Sequence, residues 1–365
     1  MPILQKLVVQ DFRNISLQEM EFSPKLNCIW GGNGEGKTNL LDAIHYLAMT
    51  KSAFASSDRF SFRHGCQSFA IAGTYLMDAG LKSLFTLKVT SGGEKKLRRD
   101  DKPIARISDH IGTLPVVMVS PYDSALVSES GEERRRLVNS VLSQMDREYL
   151  HLMQQYNRLL QQRNSLLHAP SPDPGLLDTF DASLSEVAAP IFEKRAAFAA
   201  NLAPIVADYY SRVSGGKESV GISYRSELEE APLDQILAAR REKDLILKYT
   251  SAGVQRDDFL FTMDGHPIRK CGSQGQQKSF LVALKFAQYE LMKQRYGYPP
   301  ALLLDDLFDK LDPSRVSNLL SMVSGSDFGQ IFLTDTDRTR LEEIVSGLTG
   351  ERSFFEAAGG AFTKS

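Results

Sequence analysis

The periodicity of apolar positions changes twice along this chain. Over residues 4–12 and 26–30 the apolar residues form short runs bounded by polar residues or glycine, which predicts strands. Over 39–49 the spacing turns helical, with Leu40, Leu41, Ile44, Leu47 and Ala48 on one face. Residues 69–77 and 81–90 alternate apolar and polar around Asp78-Ala79-Gly80, a hairpin pattern. Residues 116–119 are continuously apolar and stop at Pro121.

From Val138 the period becomes that of a heptad. Val138, Leu142, Met145, Tyr149, Leu152, Tyr156, Leu159 and Leu166 form a 4-3 seam, interrupted by the charged Arg163. The segment Ala169-Pro170-Ser171-Pro172-Asp173-Pro174-Gly175 cannot continue a helix. A second seam follows at Leu177, Phe180, Leu184, Val187, Ile191, Phe198, Ile205 and Tyr209, with Pro190 and Pro204 expected to kink it or break it into pieces. Two seams around a breaker make an antiparallel helical hairpin of about 45–50 Å, either a projecting arm or a packed bundle. After Gly215-Gly216 the pattern is mixed again, and 301–304 and 329–333 read as buried strands. The chain thus divides into 1–130, a helical insertion at 131–245, and 246–365.

Residues 31–38 read Gly31-Gly32-Asn33-Gly34-Glu35-Gly36-Lys37-Thr38, which fits the Gly-x4-Gly-Lys-[Ser/Thr] phosphate loop. The motif stands between a predicted strand and a predicted helix, the context its chemistry requires. Glycines let successive backbone N–H groups face inward, and the helix N-terminus adds positive potential. Lys37 then reaches the β- and γ-phosphates of ATP, and the Thr38 hydroxyl ligates Mg²⁺. The run Ala301-Leu302-Leu303-Leu304 ends in Asp305 and Asp306. Paired acids at the C-terminal edge of an α/β sheet suit Mg²⁺ and an attacking water, with Asp305 toward the metal and Asp306 toward the water.

Between these motifs lies Cys271-Gly272-Ser273-Gln274-Gly275-Gln276-Gln277-Lys278. It resembles the ABC signature, in which Ser273, Gly275 and Gln276 would bind a nucleotide at a helix start. The order of phosphate loop, helical insertion, signature and paired acids resembles the ABC-type ATPase head shared by SMC proteins. The fold class expected is therefore α/β, a P-loop head with a coiled-coil-like insertion.

The wording of several segments is similar to that of the RecF family of bacterial recombination-repair proteins. They are Asp11-Phe12-Arg13-Asn14, Ser56-Ser57-Asp58-Arg59, Arg63-His64-Gly65, Ser120-Pro121, Glu133-Arg134-Arg135-Arg136, Gly253 with Arg256-Asp257-Asp258, the Ser273–278 segment, Leu304-Asp305-Asp306 with Leu311-Asp312, and Thr334-Asp335-Thr336. Two departures stand out: Val254-Gln255 where the family has Pro-His, and Tyr122 where an acid is common. The resemblance implies an ATP-dependent homodimer in which each phosphate loop faces the partner's signature. It also implies a weak DNA-stimulated ATPase, binding to single-strand gaps and duplex junctions, and action with RecO and RecR to load RecA in repair, recombination and replication restart.

Composition narrows the alternatives. The 365 residues are 42% apolar and 24% charged, enough for a sizeable core. Cys28, Cys66 and Cys271 show no metal-ligand spacing, and no leader-like or membrane-spanning stretch is read, so a cytoplasmic setting is expected. A transporter ABC subunit predicts no long insertion, and a vestigial ATP site predicts damage to Lys37, Thr38 or Asp305; this chain fits neither. Asp306, shorter than the usual glutamate, points to slow turnover. With a net charge of −2, DNA contact must come from local patches. Lys95-Lys96-Leu97-Arg98-Arg99, Arg134-Arg135-Arg136 and Arg240-Arg241 are the candidates, each read first as a solvated face.

Overall fold

Strand Leu26–Trp30 is buried at four of its five positions, and strand Ile331–Asp335 at all five. Such continuous apolar runs belong to parallel sheets covered on both faces. The two strands pair in parallel at the centre of a six-stranded sheet. Its order is Ala361–Lys364, Arg352–Ala358, Leu26–Trp30, Ile331–Asp335, Ala301–Leu304 and Val116–Val119, with the first strand alone antiparallel. The computed structural model describes residues 1–306, 328–347 and 350–365 of the chain. The expected Leu311-Asp312 pair lies outside the described residues.

A second sheet of six strands is wholly antiparallel, ordered Ile15–Glu21, Ile3–Phe12, Ser68–Leu76, Lys82–Thr90, Lys95–Arg99 and Lys102–Pro103. Helix Lys37–Met49 touches strands of both sheets. That explains a difference from the one-faced helix expected: Ala43, Tyr46 and Met49 are buried as well as Leu40, Leu41, Ile44, Leu47 and Ala48. A helix enclosed by two layers is apolar nearly all round. The strand expected at 329–333 begins two residues later, because the Gly329 N–H is taken by the Tyr289 hydroxyl at 2.9 Å.

The chain forms two compact units, one of Met1–Ser124, Arg212–Ser214 and Val282–Ser365, the other of Ala125–Ser211 and Gly215–Leu281. Both six-stranded sheets lie in the first. The second holds most of the helical insertion and a three-stranded antiparallel sheet in the order His266–Pro267, Asp258–Met263, Val220–Arg225.

Inside the second unit the first seam is two helices, Gly131–Met145 and Arg147–Leu167. Asp146 stands between them in an extended conformation and caps the second by accepting from the Tyr149 N–H. The second seam is one continuous helix, Pro174–Ser214, so neither Pro190 nor Pro204 breaks it. Pro204 and Ala200, four residues before it, are both exposed, so the carbonyl that loses its helical donor lies on the solvent side. The seam also drifts, since Leu202 and Val206 are buried where the heptad count expected Ile205. A straight helix advances at 3.6 residues per turn against the 3.5 of a heptad.

Two arginines replace apolar residues in this core. Arg163, expected as an interruption, is 0% exposed and donates to Asp181, to Asp244 at 2.7 Å and to the Thr250 hydroxyl at 2.9 Å. Arg195 donates to Asp257 Oδ2 at 2.7 Å, the Val254 carbonyl at 2.6 Å, the Tyr149 hydroxyl at 3.0 Å and Asn139 Oδ1 at 3.0 Å. Burial pushes the Asp257 carboxyl up, against the pull of Arg195 and a hydrogen bond from the Tyr224 hydroxyl. Gln255, which stands where the family has histidine, bonds the Tyr156 hydroxyl and the Ala252 carbonyl, so this loop keeps polar contacts.

Arg195→Met keeps the volume but leaves Asp257 buried without its cation. The unfolding free energy, measured by chemical denaturation, should fall by about 3–5 kcal/mol near neutral pH. Asp257 would be held still further above its unfolded value, so the deficit is full above the folded pKa and narrows as pH falls and the carboxyl protonates. A loss below about 1 kcal/mol would show that the Arg195 network is not what holds these helices to the small sheet.

Candidate functional site

The loop at 31–38 joins the central strand Leu26–Trp30 to helix Lys37–Met49. Gly31 has φ 154°, and a Cβ there would stand 2.4 Å from the Ala357 carbonyl oxygen of the neighbouring strand. Gly36 caps the helix with φ 106°, and a Cβ there would meet the Asn14 side chain at 2.8 Å. Both positions therefore demand glycine on conformation and on space. Gly32, Asn33 and Gly34 form the exposed tip of the loop.

Lys37 is buried, and its ammonium donates to the Gly31 carbonyl at 2.7 Å and the Gly32 carbonyl at 3.0 Å. An ammonium has three donors, so one is left to point elsewhere. The Thr38 hydroxyl donates to Asp305 Oδ2 at 2.8 Å. The Thr334 hydroxyl, at the end of strand Ile331–Asp335, donates to Asp305 Oδ1 at 2.8 Å and accepts from the Asp306 N–H at 3.0 Å. Burial pushes the Asp305 carboxyl up and neighbouring Asp306 adds to this, while the two hydroxyls and Lys37 oppose it. Asp306, two residues past the end of the strand, adopts φ 42°, a left-handed conformation. The sequence-predicted residues Lys37, Thr38, Asp305 and Asp306 thus converge at the C-terminal edge of the parallel sheet, where ligands of α/β folds gather.

Three supports were not anticipated. The first is Arg13, which sits with Asn14 in the turn between Ile3–Phe12 and Ile15–Glu21. Arg13 pairs with buried Asp42 at 2.6 Å and donates to Asn39 and Ser52, while Asn14 accepts from Asn39, so this turn braces the first coils of the helix. The second is the hairpin of Arg352–Ala358 and Ala361–Lys364. Its turn donates the Gly359 N–H to the Glu35 carboxylate and the Gly360 N–H to the Glu35 carbonyl at 2.9 Å. Alternating residues around Gly359-Gly360 were the available signal for that hairpin. The third is Thr334, legible as part of a Thr-x-Thr segment but without an assigned partner.

Ser273, Gly275 and Gln276 belong to the second unit, at the start of helix Gln274–Tyr296. Ser273 and Gln276 form a reciprocal cap: the Ser273 N–H donates to Gln276 Oε1 at 2.7 Å, and the Gln276 N–H to Ser273 Oγ at 3.3 Å. Gln276 also donates to Glu218 at 2.7 Å. Ser273 and Gln274, which open this 23-residue helix, are both exposed.

A family model described as an AAA domain matches residues 6–166. The DNA replication and repair protein RecF of Parabacteroides distasonis is 42% identical over 358 residues, 98% of each chain. That of Flavobacterium johnsoniae is 41% identical over 346 residues, 94% of this chain and 96% of its own. A solved structure of the recombination mediator protein RecF with ATP, in the RecFOR pathway, covers 100% of this chain and 98% of its own at 27% identity, with a TM-score of 0.90. An Smc head domain with an extended coiled coil from Pyrococcus furiosus reaches a TM-score of 0.57 at 15% identity, covering 100% of this chain and 96% of its own, a likeness of fold. The fold is that of an ABC-type ATPase head, α/β with mixed sheets and helices. With relatives this similar across nearly the whole length, the chain belongs to the RecF family of DNA replication and repair proteins.

Proposed function

We propose that this chain is a slow ATP-operated switch on DNA. The observation that carries the reading is the hydroxyl–carboxylate pair of Thr38 and Asp305, set directly beside a phosphate loop whose lysine is already drawn over it. Mg²⁺ takes oxygen ligands, commonly one or two carboxylates, and leaves its other positions to water and phosphate. Thr38 and Asp305 are such a donor set, so the residues present fit this ion. When bound, Mg²⁺ neutralises phosphate charge. Gly32, Asn33, Gly34, Glu35 and Gly36 wrap the phosphates through backbone N–H groups, Gly31 anchors the loop by donating its own N–H to the Asp335 carbonyl at 3.3 Å, Lys37 turns its ammonium to the β- and γ-oxygens, and Asp306 orients the attacking water.

Two copies close on ATP, each offering Ser273, Gly275 and Gln276 to the partner's γ-phosphate. The closed homodimer holds DNA at single-strand gaps and duplex junctions, and it acts with RecO and RecR to load RecA during repair and replication restart. Hydrolysis, weak and stimulated by DNA, releases it. Family membership supports this assignment, as does the ATP complex of a RecF that matches nearly the whole chain.

Lys37→Met should abolish dimer formation with ATP, read as sedimenting mass; a dimer as abundant as that of the intact chain would sink the closed-pair reading. Asp306→Asn should keep ATP binding and lower hydrolysis by about 100-fold, so that the dimer accumulates. Hydrolysis at the intact rate would move the water-orienting role to another residue. Ser273→Asp retains an N-cap oxygen, so helix stability should hold. Its negative charge against the partner's γ-phosphate should remove the dimer while monomer ATP affinity stays within about twofold. Lost monomer affinity would place Ser273 in its own copy's site instead.

A further inference from the structure

The three basic runs have different fates. Arg134 is committed to a two-pronged pair with Asp258, at 2.9 and 3.1 Å, and Arg135 donates to the Asp257 carbonyl. Arg240 pairs with Glu227, and Arg241 with Asp178 and Asp181. These cations are spent within the second unit. The run Lys95-Lys96-Leu97-Arg98-Arg99 is a strand, so its residues alternate between two faces. Leu97 is buried, and Lys95 on the same side pairs with Asp58 at 2.8 Å and lies over the Tyr46 ring. Arg99 likewise lies over Phe85 and donates to Ser83. Lys96 and Arg98 point to the opposite, solvent face, and both are exposed.

The register shows what accompanies them there. Lys96 stands directly across from Lys88, and Arg98 across from Thr86. The next strand places Ala70 beside Lys88 and Ala72 beside Thr86. Like charges directly opposite destabilise a sheet, yet Lys88, Lys96 and Arg98 are grouped on one edge of it. Glu94 is the acid beside them, 3.2 Å from Lys96 in an exposed pair that supplies little neutralisation. Lys6, farther across the same sheet, stands directly opposite Glu21 and pairs with Glu19, so two acids attend one cation there. The positions inward of the cations are small, Ala70, Ala72 and Thr86, so a rigid backbone can approach closely.

We infer that the solvent face of this sheet, at Lys88, Lys96 and Arg98, is a docking surface for the phosphate backbone of duplex DNA. Charge complementarity selects a polyanion, and the short side chains at Ala70, Ala72 and Thr86 leave room for a rigid one. Single strands are bound by aromatic stacking platforms, and this floor is built of alanine and threonine with no ring among its positions. Phosphate contacts carry no sequence information, so the surface holds the duplex without choosing its sequence. The inference rests on the DNA-binding reading above and assigns residues to it.

The test measures affinity for a labelled duplex and for a single strand of the same sequence, with ATP, over a series of salt concentrations. The intact chain is compared with the Lys88→Gln/Lys96→Gln/Arg98→Gln variant and with Lys6→Gln. Removing three phosphate contacts should lower the slope of log affinity against log salt for the duplex by about 2–3. Single-strand binding, ATP affinity and melting temperature should change little, and Lys6→Gln should bind as the intact chain does. An unaltered duplex slope in the triple variant, with DNA binding otherwise present, overturns the assignment. An equal loss for single strand and duplex overturns the choice of duplex. An intact chain that binds neither DNA with ATP defeats the broader functional reading instead.

Discussion

Asp305 accepts a hydroxyl hydrogen bond on each carboxylate oxygen, from Thr38 on one and from Thr334 on the other, across separations of 267 and 29 residues. A buried carboxylate is costly unless its oxygens are satisfied, so this acid is stable only when the start of the helix and the end of the adjacent strand are both in place. The same condition ties the two halves of the head together. Parallel pairing of Leu26–Trp30 with Ile331–Asp335 brings the phosphate loop to the edge where Asp305 ends its strand, and the hydroxyl bonds then lock that alignment. Lys37, Thr38, Asp305 and Asp306 are therefore one arrangement with one register, and a slip in the sheet would dismantle all of it.

The parts of the site that were legible in the sequence are those where chemistry and backbone agree locally. The phosphate loop needs glycine at particular places and lies between a strand and a helix, so its residues declare themselves. The acids ending 301–304 are similarly marked by the apolar run before them. Other parts depend on tertiary contacts that no local pattern carries. Arg13 looks like a polar residue after a strand until its pairing with Asp42 of the helix is seen. Arg163 breaks a heptad by composition, yet it is a fully buried core residue because Asp181 and Asp244 come to it from other segments. The proline-bearing helix misled for the opposite reason: local sequence argues for a break, and packing of its buried side keeps it continuous.

Charge was the least transparent feature. A run of arginines on a helix is read as a solvated face or as an anion site, and in Arg134 and Arg241 it is neither, since partner carboxylates neutralise both within the fold. In the strand Lys95–Arg99 the alternation of the pleat divides five residues between inward support and outward charge. Net charge and run length do not distinguish these cases; the positions of Asp181, Asp257 and Asp258 do. A chain with a formal charge of −2 can thus keep a locally cationic sheet edge without being basic overall.

The hairpin that clamps Glu35 has a consequence for how the head is made. Strand Arg352–Ala358 is the parallel neighbour of Leu26–Trp30, and its Ala357 carbonyl defines the space beside Gly31. At roughly 5–20 residues per second, a ribosome needs on the order of half a minute to pass from the loop to the hairpin that completes it. Throughout that interval the nascent head exposes an unfinished sheet edge beside Leu26–Trp30, a surface prone to the wrong partner. Gly31 and Glu35 thus gain their bracing only once the hairpin at residues 352–364 has been made and has folded back onto the loop.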